Sequence, residues 1–576
     1  MNFTMRSKVK ILLHVLSLPI LAAAASGPVK GPLVVSDRWP ECTKLTTWVQ
    51  DVMRLERVEN ASETTQGKVL FRWLRLFSRM ATGGMIQAFE GEYGAEKSVM
   101  DAHKQLFVYG WGFCDTTSRL AEAIWDEYKQ DPNAAQRVCV QHDNGGFHTM
   151  YRLRMDGRYG AFDPRYGYYL IEKDSPDARV LDWDEVGVDE NILKNKGYKY
   201  RSGPFFEYFG IEWERAFLIK PAFFVSEKEW RNAGSPVECV FANPMYRMRT
   251  RYHDMDFQLP KGMTIERYWD NSARKFYIPA GKHTQKEEPF RPSGRFYRVT
   301  ETMFDGNWPK YDPNYQKCKP YLVTVPVNEG YNKEVSGGRT IGQAWGRLTY
   351  YPDLRDPVMP EILTPDSTFV HAASAPFMRA PGKEAAQATF DFYSPYVLVD
   401  ANLTGELAGT ASDDLKLEVR TLQAKTLNES QPDIWSRWQL VHKGPGRFSI
   451  PLGREVFNGR DVSVHGTYRF QFRISTGPNR ERSAPAGLSA LRLVAYFENG
   501  IMSIPQIFEG RNTIHFKVRD ASLLRGPVTI VYRYRTNKGP AQHRHVLHPH
   551  DFRDNVAIYQ LRAPGLIRCD SLSISY

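Results

Sequence analysis

The spacing of the apolar residues changes near residue 136, and this change limits the folds open to the chain. Before it, apolar residues recur at helical spacing, as at Val69, Leu70, Trp73, Leu76 and Phe77. After it, short segments alternate with a period of two, which is typical of strands, over residues 137–140, 147–155 and 159–163. Helices followed by strands predict an α+β arrangement for this part of the chain.

The helical part is predicted to contain several separate elements. Thr46–Val58 and Lys68–Met80 each have an apolar face, and Gly83-Gly84 closes the segment. A further helical turn is predicted over 101–109. Another amphipathic helix follows Cys114, because Leu120, Ala123, Ile124 and Tyr128 lie on one helical face.

The rest of the chain is predicted to be β-rich. At about 150 residues per domain, 576 residues suggest two to four domains. Alternating or β-branched runs separated by turns predict sandwich-like strands after residue 385. They are Ala388–Val399, Leu415–Gln423, Tyr468–Ile474, Leu491–Tyr496, Thr513–Val518 and Val528–Arg535. We therefore divide the chain into a segment 1–25, an α+β domain 26–205, a β-rich middle domain 206–380 and a C-terminal β-sandwich region 385–576.

Segment 1–25 has the pattern of a cleaved secretory signal. Basic residues precede an apolar run from Ile11 to Leu21, and small residues follow it. An uncleaved anchor is the alternative, but the run is short for a bilayer span. Cleavage would remove three basic and no acidic residues, which lowers the formal net charge from +11 to +8. A secreted or periplasmic location is expected.

Composition and charge exclude several classes of protein. A charged fraction of 24% with 42% hydrophobic residues excludes a disordered chain. After segment 1–25 the sequence has no other apolar run long enough to predict a membrane span. The basic surplus favours acidic polysaccharides or a cell surface as partners. Nucleic acid is not expected, because no long block of Lys and Arg is present.

Three residues have a pattern that can carry nucleophilic chemistry. Cys114 directly precedes a predicted helix, whose N-terminus favours thiolate over thiol. If Asp156-Gly157 form a two-residue turn, paired residue numbers on the two strands sum to 313. His148 and Asp163 then become diagonal neighbours on one face, roughly 7–8 Å apart. A thiolate, a base and an orienting carboxylate could therefore meet.

The same residues carry a resemblance to a known family. The segment Tyr109-Gly-Trp-Gly-Phe-Cys114-Asp-Thr-Thr and the segment from His148 through Asp163-Pro164 resemble the transglutaminase-like superfamily. The match covers roughly residues 100–170. The resemblance implies a transglutaminase-like N-terminal domain with papain-like chemistry, in which Cys114 is the nucleophile, His148 the general base and acid, and Asp163 the orienting residue.

The resemblance also implies a thioester intermediate formed from an amide substrate. The Cys114 backbone N–H would contribute to the oxyanion hole, with Trp111, Gln141 and Gln105 as candidates for a second donor. Tyr109, Tyr166 and Tyr168 are candidates for the walls of a substrate groove. The expected substrate is a protein, a peptide or a glycoconjugate, and no cofactor and no metal are predicted.

Other interpretations stay open from the sequence. The chain could be a peptide:N-glycanase-like amidase, a polysaccharide-degrading enzyme, or a non-catalytic carbohydrate-binding or cell-surface-binding protein. A second cluster contains His543, His545, His548 and His550. It could bind a transition metal, although the end of a surface strand is the favoured interpretation. The pairing of the six cysteines is not fixed by the sequence.

Overall fold

The structure is a computed structural model, which describes the chain in separate ranges. These are residues 28–80, 101–112, 114–141, 147–164, 168–169, 172, 177–182, 248, 253–269, 276–277, 342–343, 346–358, 360–422, 435–453, 463–464 and 466–576. The predicted signal segment, Tyr166, and most of the predicted middle domain lie outside the described residues.

The α-helices and the π-helix of the described ranges lie before residue 130. They are α1 Leu45–Glu56, α2 Glu63–Phe77 and α3 Cys114–Lys129, with a π-helix over Lys104–Tyr109. Ser62 caps α2 by accepting a hydrogen bond from the Thr65 backbone N–H. Arg57 ends α1 in the left-handed conformation. The helices predicted near 46–58, 68–80 and after Cys114 are therefore confirmed.

Apart from four 3-10 helices of three residues each, the remaining described elements are strands. They are β1 Val29–Lys30, β2 Leu33–Ser36, β3 Arg79–Met80, β4 Trp111–Gly112, β5 Ala135–Gln141, β6 Phe147–Met155, β7 Arg158–Asp163, β8 Tyr168–Tyr169, β9 Gln258–Leu259, β10 Met263–Tyr268, β11 Phe276–Tyr277, β12 Gly342–Gln343, β13 Gly346–Tyr350, β14 Val370–His371, β15 Met378–Arg379, β16 Ala386–Tyr393, β17 Val397–Ala408, β18 Lys416–Thr421, β19 Gln439–Lys443, β20 Gly446–Pro451, β21 Arg469–Thr476, β22 Gly487–Glu498, β23 Gly510–Lys517, β24 Val528–Thr536, β25 Gly539–Leu547, β26 Val556–Ala563 and β27 Leu566–Ser575. The β-rich α+β class is thus confirmed, while a transglutaminase-like N-terminal domain remains a prediction.

The strands form several antiparallel sheets. One four-stranded sheet has the order β5-β6-β7-β8, and α3 packs on β5 and β6. A second four-stranded sheet has the order β16-β21-β18-β19. In β18, alternate residues are buried, as expected when one face of a sheet covers a core. This layered arrangement fits the predicted β-sandwich region.

The largest sheet joins strands that are far apart in the sequence. Its order is β14-β15-β22-β13-β10-β27-β24-β25, and β17 pairs with both β20 and β22. It draws strands from both predicted ranges, 206–380 and 385–576, so the division near residue 380 does not separate two sheets. The early strands also pair with late ones: β1 with β9, and β2 with β23.

The single strand predicted over Ala388–Val399 is wrong. The structure has two strands there, β16 and β17, which belong to different sheets. Pro395 lies between them, and proline has no N–H with which to continue a ladder. The Ser394 backbone N–H instead donates to Tyr468 O, and the Ser394 hydroxyl accepts from the Tyr396 N–H.

A continuous buried core connects the helices with the sheets. Trp39 belongs to it, with its ring centroid 5.2 Å from that of Trp73 and 6.1 Å from that of Phe508. The Trp39 indole N–H donates to Met502 O at 2.8 Å. None of the helices in the described ranges is both long enough and apolar enough to cross a membrane.

Candidate functional site

The chain reaches Cys114 through Gly110, whose left-handed backbone conformation would strain a residue other than glycine. Gly110 follows the π-helix with φ of 65°, a conformation that favours glycine, and its N–H donates to Gln105 O at 2.9 Å. The chain then forms β4, which pairs in parallel with β3, and α3 begins at Cys114. Short π-helical segments of this kind often occur next to functional sites.

Helix α3 is docked so that its first turn lies beside the strand that contains His148. Ser118, one turn after Cys114, donates from its buried hydroxyl to Thr149 O at 3.4 Å. Thr149 directly follows His148 in β6. Because residues four apart lie on one helical face, the Cys114 backbone stands one turn beyond this contact. The start of α3 and the start of β6 are therefore brought together.

The hairpin between β6 and β7 has the predicted register. Met155 pairs with Arg158 and Tyr151 with Phe162, so paired numbers sum to 313. Asp156 and Gly157 both have positive φ, 49° and 80°, as a two-residue type I′ turn requires. The prediction of a two-residue turn is confirmed. The pairing ends at Tyr151 with Phe162, so Asp163 follows the last paired residue of β7, and His148 lies three residues before the last paired residue of β6.

The hairpin tip is anchored to the start of α2. The Asp156 carboxylate accepts hydrogen bonds from the backbone N–H groups of Glu63 and Thr64, both at 3.1 Å, and from the Thr64 hydroxyl at 2.8 Å. Burial by itself would raise the pKa of Asp156, but these hydrogen bonds outweigh it and lower the pKa. Asp156, in the β6–β7 hairpin, thus caps the N-terminus of α2.

A group of charged side chains holds the start of α3 against β5. The Arg137 Nε donates to Glu122 Oε2 at 3.0 Å, and its Nη1 donates to Asp115 Oδ1 at 3.2 Å. The Arg137 and Glu122 side chains are each 2% exposed. Arg119 forms a second ion pair with Asp115 at 2.7 Å. Two guanidinium groups therefore stand close to the residue that follows Cys114.

The other predicted site residues have the following backbone positions. Trp111 is in β4, and Gln141 ends β5 paired with Phe147, the neighbour of His148. Tyr168 in β8 pairs with Asp163. Tyr109 is 3% exposed at the end of the π-helix, and Gln105 is buried in the same helix. The oxyanion and groove roles of these residues stay predictions.

Sequence reasoning did not identify the residues that support this arrangement. Glu122, Arg137 and the capping role of Asp156 were not predicted. Glu122 lies on α3 and Arg137 on a strand otherwise rich in apolar residues, where a charged residue signals a buried partner. The Asp156 contact has no comparable signal, because its partner Thr64 is 92 residues away.

Two histidines of the cluster, His543 and His545, stack with Tyr559. His543 and His545 lie on β25, and the His545 ring is 4.0 Å from that of Tyr559. Burial lowers the pKa of both imidazoles. Within the described ranges, no group of three or more His, Cys, Asp or Glu residues is arranged to hold a metal ion. Cys42 and Cys569 form no disulfide in this part of the chain.

Comparison with known proteins gives little likeness. No family model matches the chain, and no curated protein matches it. A glycosyl hydrolase family 2 member from Bacteroides cellulosilyticus DSM 14838 is 8% identical over 33% of this chain and 24% of its own, with a TM-score of 0.12. The β-glucuronidase of Parabacteroides merdae is 12% identical over 35% and 26%, with a TM-score of 0.13. The chain thus spans about a quarter of each, and scores this low carry no argument about its fold or function.

Proposed function

We propose that this protein is a cysteine-dependent enzyme that hydrolyses an amide bond or transfers its acyl group. Cys114 would be the nucleophile, His148 the base and acid, and Asp163 the orienting residue. One observation supports the proposal: α3, which begins at Cys114, contacts β6 next to His148, and the β6–β7 pairing extends to Tyr151 and Phe162, the latter directly before Asp163.

The proposed reaction has two steps. The Cys114 thiolate attacks the substrate carbonyl, the amide C–N bond breaks, and the His148 imidazolium gives its proton to the leaving amine. Water or a second amine then attacks the thioester, His148 takes the attacking proton, and the Cys114 thiolate leaves. Asp163 would hold the imidazole in the required orientation throughout both steps.

Local charge supports a reactive thiol at this position. The N-terminus of a 16-residue helix stabilises negative charge at its first residues. Asp115 would oppose this effect, but Arg119 and Arg137 pair with its carboxylate. The remaining field at the start of α3 favours a thiolate. A protein, peptide or glycoconjugate substrate outside the cytoplasm belongs to the same proposal.

The test is alkylation of the full-length chain with iodoacetamide between pH 5 and 9, with each cysteine mapped by mass spectrometry. We expect Cys114 to react fastest and to react well below pH 8. Cys42 is the internal control, since burial raises the pKa of its thiol and keeps it protonated. His148→Ala should slow the labelling of Cys114 at least tenfold below pH 7 and leave Cys42 unchanged.

Enzymatic activity is measured next, in variants of the three proposed site residues. Release of ammonia or amine from glutamine-containing peptides and from glycosylated asparagine peptides should be lost in Cys114→Ala and reduced in Asp163→Asn. Thr117→Ala, which changes a neighbouring buried hydroxyl on α3, should retain most of the activity. Labelling of Cys114 that is slow and indifferent to His148 would refute the proposal.

A further inference from the structure

A cavity of about 660 Å³ lies where the early part of the chain meets the sheets. Cys42, His103, Glu127 and Arg267 are among the residues that line it. Glu127 is near the far end of α3, 13 residues from Cys114, which corresponds to about 20 Å along the helix. The cavity is therefore separate from the proposed site of amide chemistry.

Arg267 is a buried cation in the lining of this cavity. Arg267 is 8% exposed, and its Nη1 donates to the Tyr396 hydroxyl at 2.8 Å. Within the described part of the chain, no carboxylate lies within ion-pair distance of its guanidinium. The carboxylate of the neighbouring Glu266 accepts hydrogen bonds from Arg347 at 2.9 Å and from Arg533 at 2.7 Å. It lies on the other side of β10 from Arg267, because successive residues of a strand face opposite sides.

Two neighbours of Arg267 in the cavity lining, Cys42 and Tyr396, are uncharged. Burial raises the pKa of the Cys42 thiol well above its ordinary value, and Arg267 opposes this effect only in part. Burial also raises the pKa of Tyr396. Both side chains therefore stay protonated at neutral pH, and neither offsets the charge of the guanidinium.

Two of the acidic residues that line the cavity, Asp254 and Asp256, have another positive neighbour. Arg519 forms ion pairs with Asp256 at 2.5 Å and with Asp254 at 3.7 Å. Burial lowers the pKa of His103, and the charges of Asp101 and Glu127 act against this lowering. A buried charge without a counter-ion is unfavourable, so a cavity that holds one is suited to a ligand that supplies it.

We propose that this cavity binds a small organic anion whose carboxylate or phosphate group pairs with Arg267. A guanidinium presents a planar fork of donors that matches such oxyanions. A volume of this size accommodates a drug-sized molecule. The rest of the lining includes apolar side chains that would contact the body of the ligand, namely Val34, Leu45, Met255, Phe257 and Ile265.

The test is calorimetric titration of the full-length chain with four probes: benzoate, phenyl phosphate, inorganic phosphate and benzamide. Benzamide has the shape of benzoate without its charge. We expect at least one of the three oxyanions to bind with one site per chain, and benzamide to bind at least tenfold more weakly than benzoate. Benzoate against phenyl phosphate distinguishes a carboxylate ligand from a phosphate ligand.

Variants connect the binding to Arg267. Arg267→Gln should lower the affinity for the binding anion at least tenfold, while Arg492→Gln, which removes an exposed arginine of β22, should leave it unchanged. A measurement on the unaltered protein covers the case in which Arg267→Gln does not fold: the anion that binds should raise the unfolding temperature of the full-length chain, and benzamide should not. Absence of binding by all three oxyanions, equal binding of benzamide, or unchanged binding in a folded Arg267→Gln would overturn the proposal.

Discussion

At the scale of single residues, Asp156 illustrates how one carboxylate joins two elements. It occupies a hairpin turn and also caps α2. Asp156→Gly removes the capping carboxylate, while glycine still adopts the positive φ of the turn. We therefore expect the free energy of unfolding to fall by about 1 kcal/mol. Urea denaturation near neutral pH measures this change.

The control and the pH dependence sharpen this prediction. Asp554 has nearly the same conformation, φ 48°, in an exposed turn, so Asp554→Gly should have little effect. Burial would raise the pKa of Asp156, but hydrogen bonds lower it, so its contribution is present above the ordinary carboxyl pKa of ~4 and lost as the pH falls through the lowered value. The two variants should therefore converge in acid; a difference that persists there would contradict the prediction.

What the sequence could predict at this scale depends on distance along the chain. Asp156-Gly157 sets the turn and hence the register of His148 and Asp163, because both strands continue directly from that turn. The hydrogen bonds of Asp156 to Glu63 and Thr64 depend on packing between segments more than 90 residues apart. No local pattern encodes such a contact, so it emerges only from the folded chain.

At the scale of elements, the ion pair between α3 and β5 is expected to be sensitive to the loss of one partner. Arg137→Leu would remove the guanidinium from which the buried Glu122 carboxylate accepts at 3.0 Å, and the loss of one partner of a buried pair typically costs about 3–5 kcal/mol. The double variant Arg137→Leu/Glu122→Leu should recover much of this loss, because it removes both charges. Thermal or urea unfolding of the three proteins measures the difference.

An exposed pair gives the matched comparison. Arg447 on β20 is 88% exposed and lies 3.7 Å from Glu406, so Arg447→Leu should change the free energy of unfolding by about 0–1 kcal/mol. If Arg137→Leu were as mild as Arg447→Leu, the buried pair would not be what holds α3 on β5. In the same variant, slower labelling of Cys114 would connect this packing to the proposed nucleophile.

Helices were easier to predict than the boundaries of strands. The apolar spacing around Val69–Phe77 identifies α2, because a helix of this length repeats its pattern several times. The run Ala388–Val399 alternates well enough for one strand, yet Pro395 divides it between two sheets. The proline is the local signal for this break, because it has no N–H with which to continue a ladder.

At the scale of the whole molecule, the early and late parts of the chain contact each other and share sheets. β2 pairs with β23, and the Gly500 N–H donates to Phe107 O at 2.9 Å beside the approach to Cys114. Sequence patterns predict elements but not which distant elements pair, since pairing depends on complementary surfaces formed only on folding. The sequence therefore predicted the order of helices and strands but not their joint sheets.

The contact between Gly110 and Gly500 predicts that the C-terminal part influences the proposed site. A Cβ at Gly110 would lie 3.0 Å from the Gly500 Cα and 3.2 Å from Phe77 O, so Gly110→Ala must push two backbone segments apart. Gly157→Ala is the matched variant, because Gly157 also has positive φ but has no neighbour within 4 Å of its added Cβ.

Both variants carry the strain of alanine at positive φ, about 1–2 kcal/mol. Gly110→Ala should lose a further 1–3 kcal/mol or so from the forced separation. It should also slow the alkylation of Cys114, which lies four residues later, whereas Gly157→Ala should not. Thermal unfolding and the labelling rate measure both effects on the same samples. Equal losses in the two variants would mean that the segment around Gly500 yields easily, and that the approach to Cys114 is held by α2 and β3 alone.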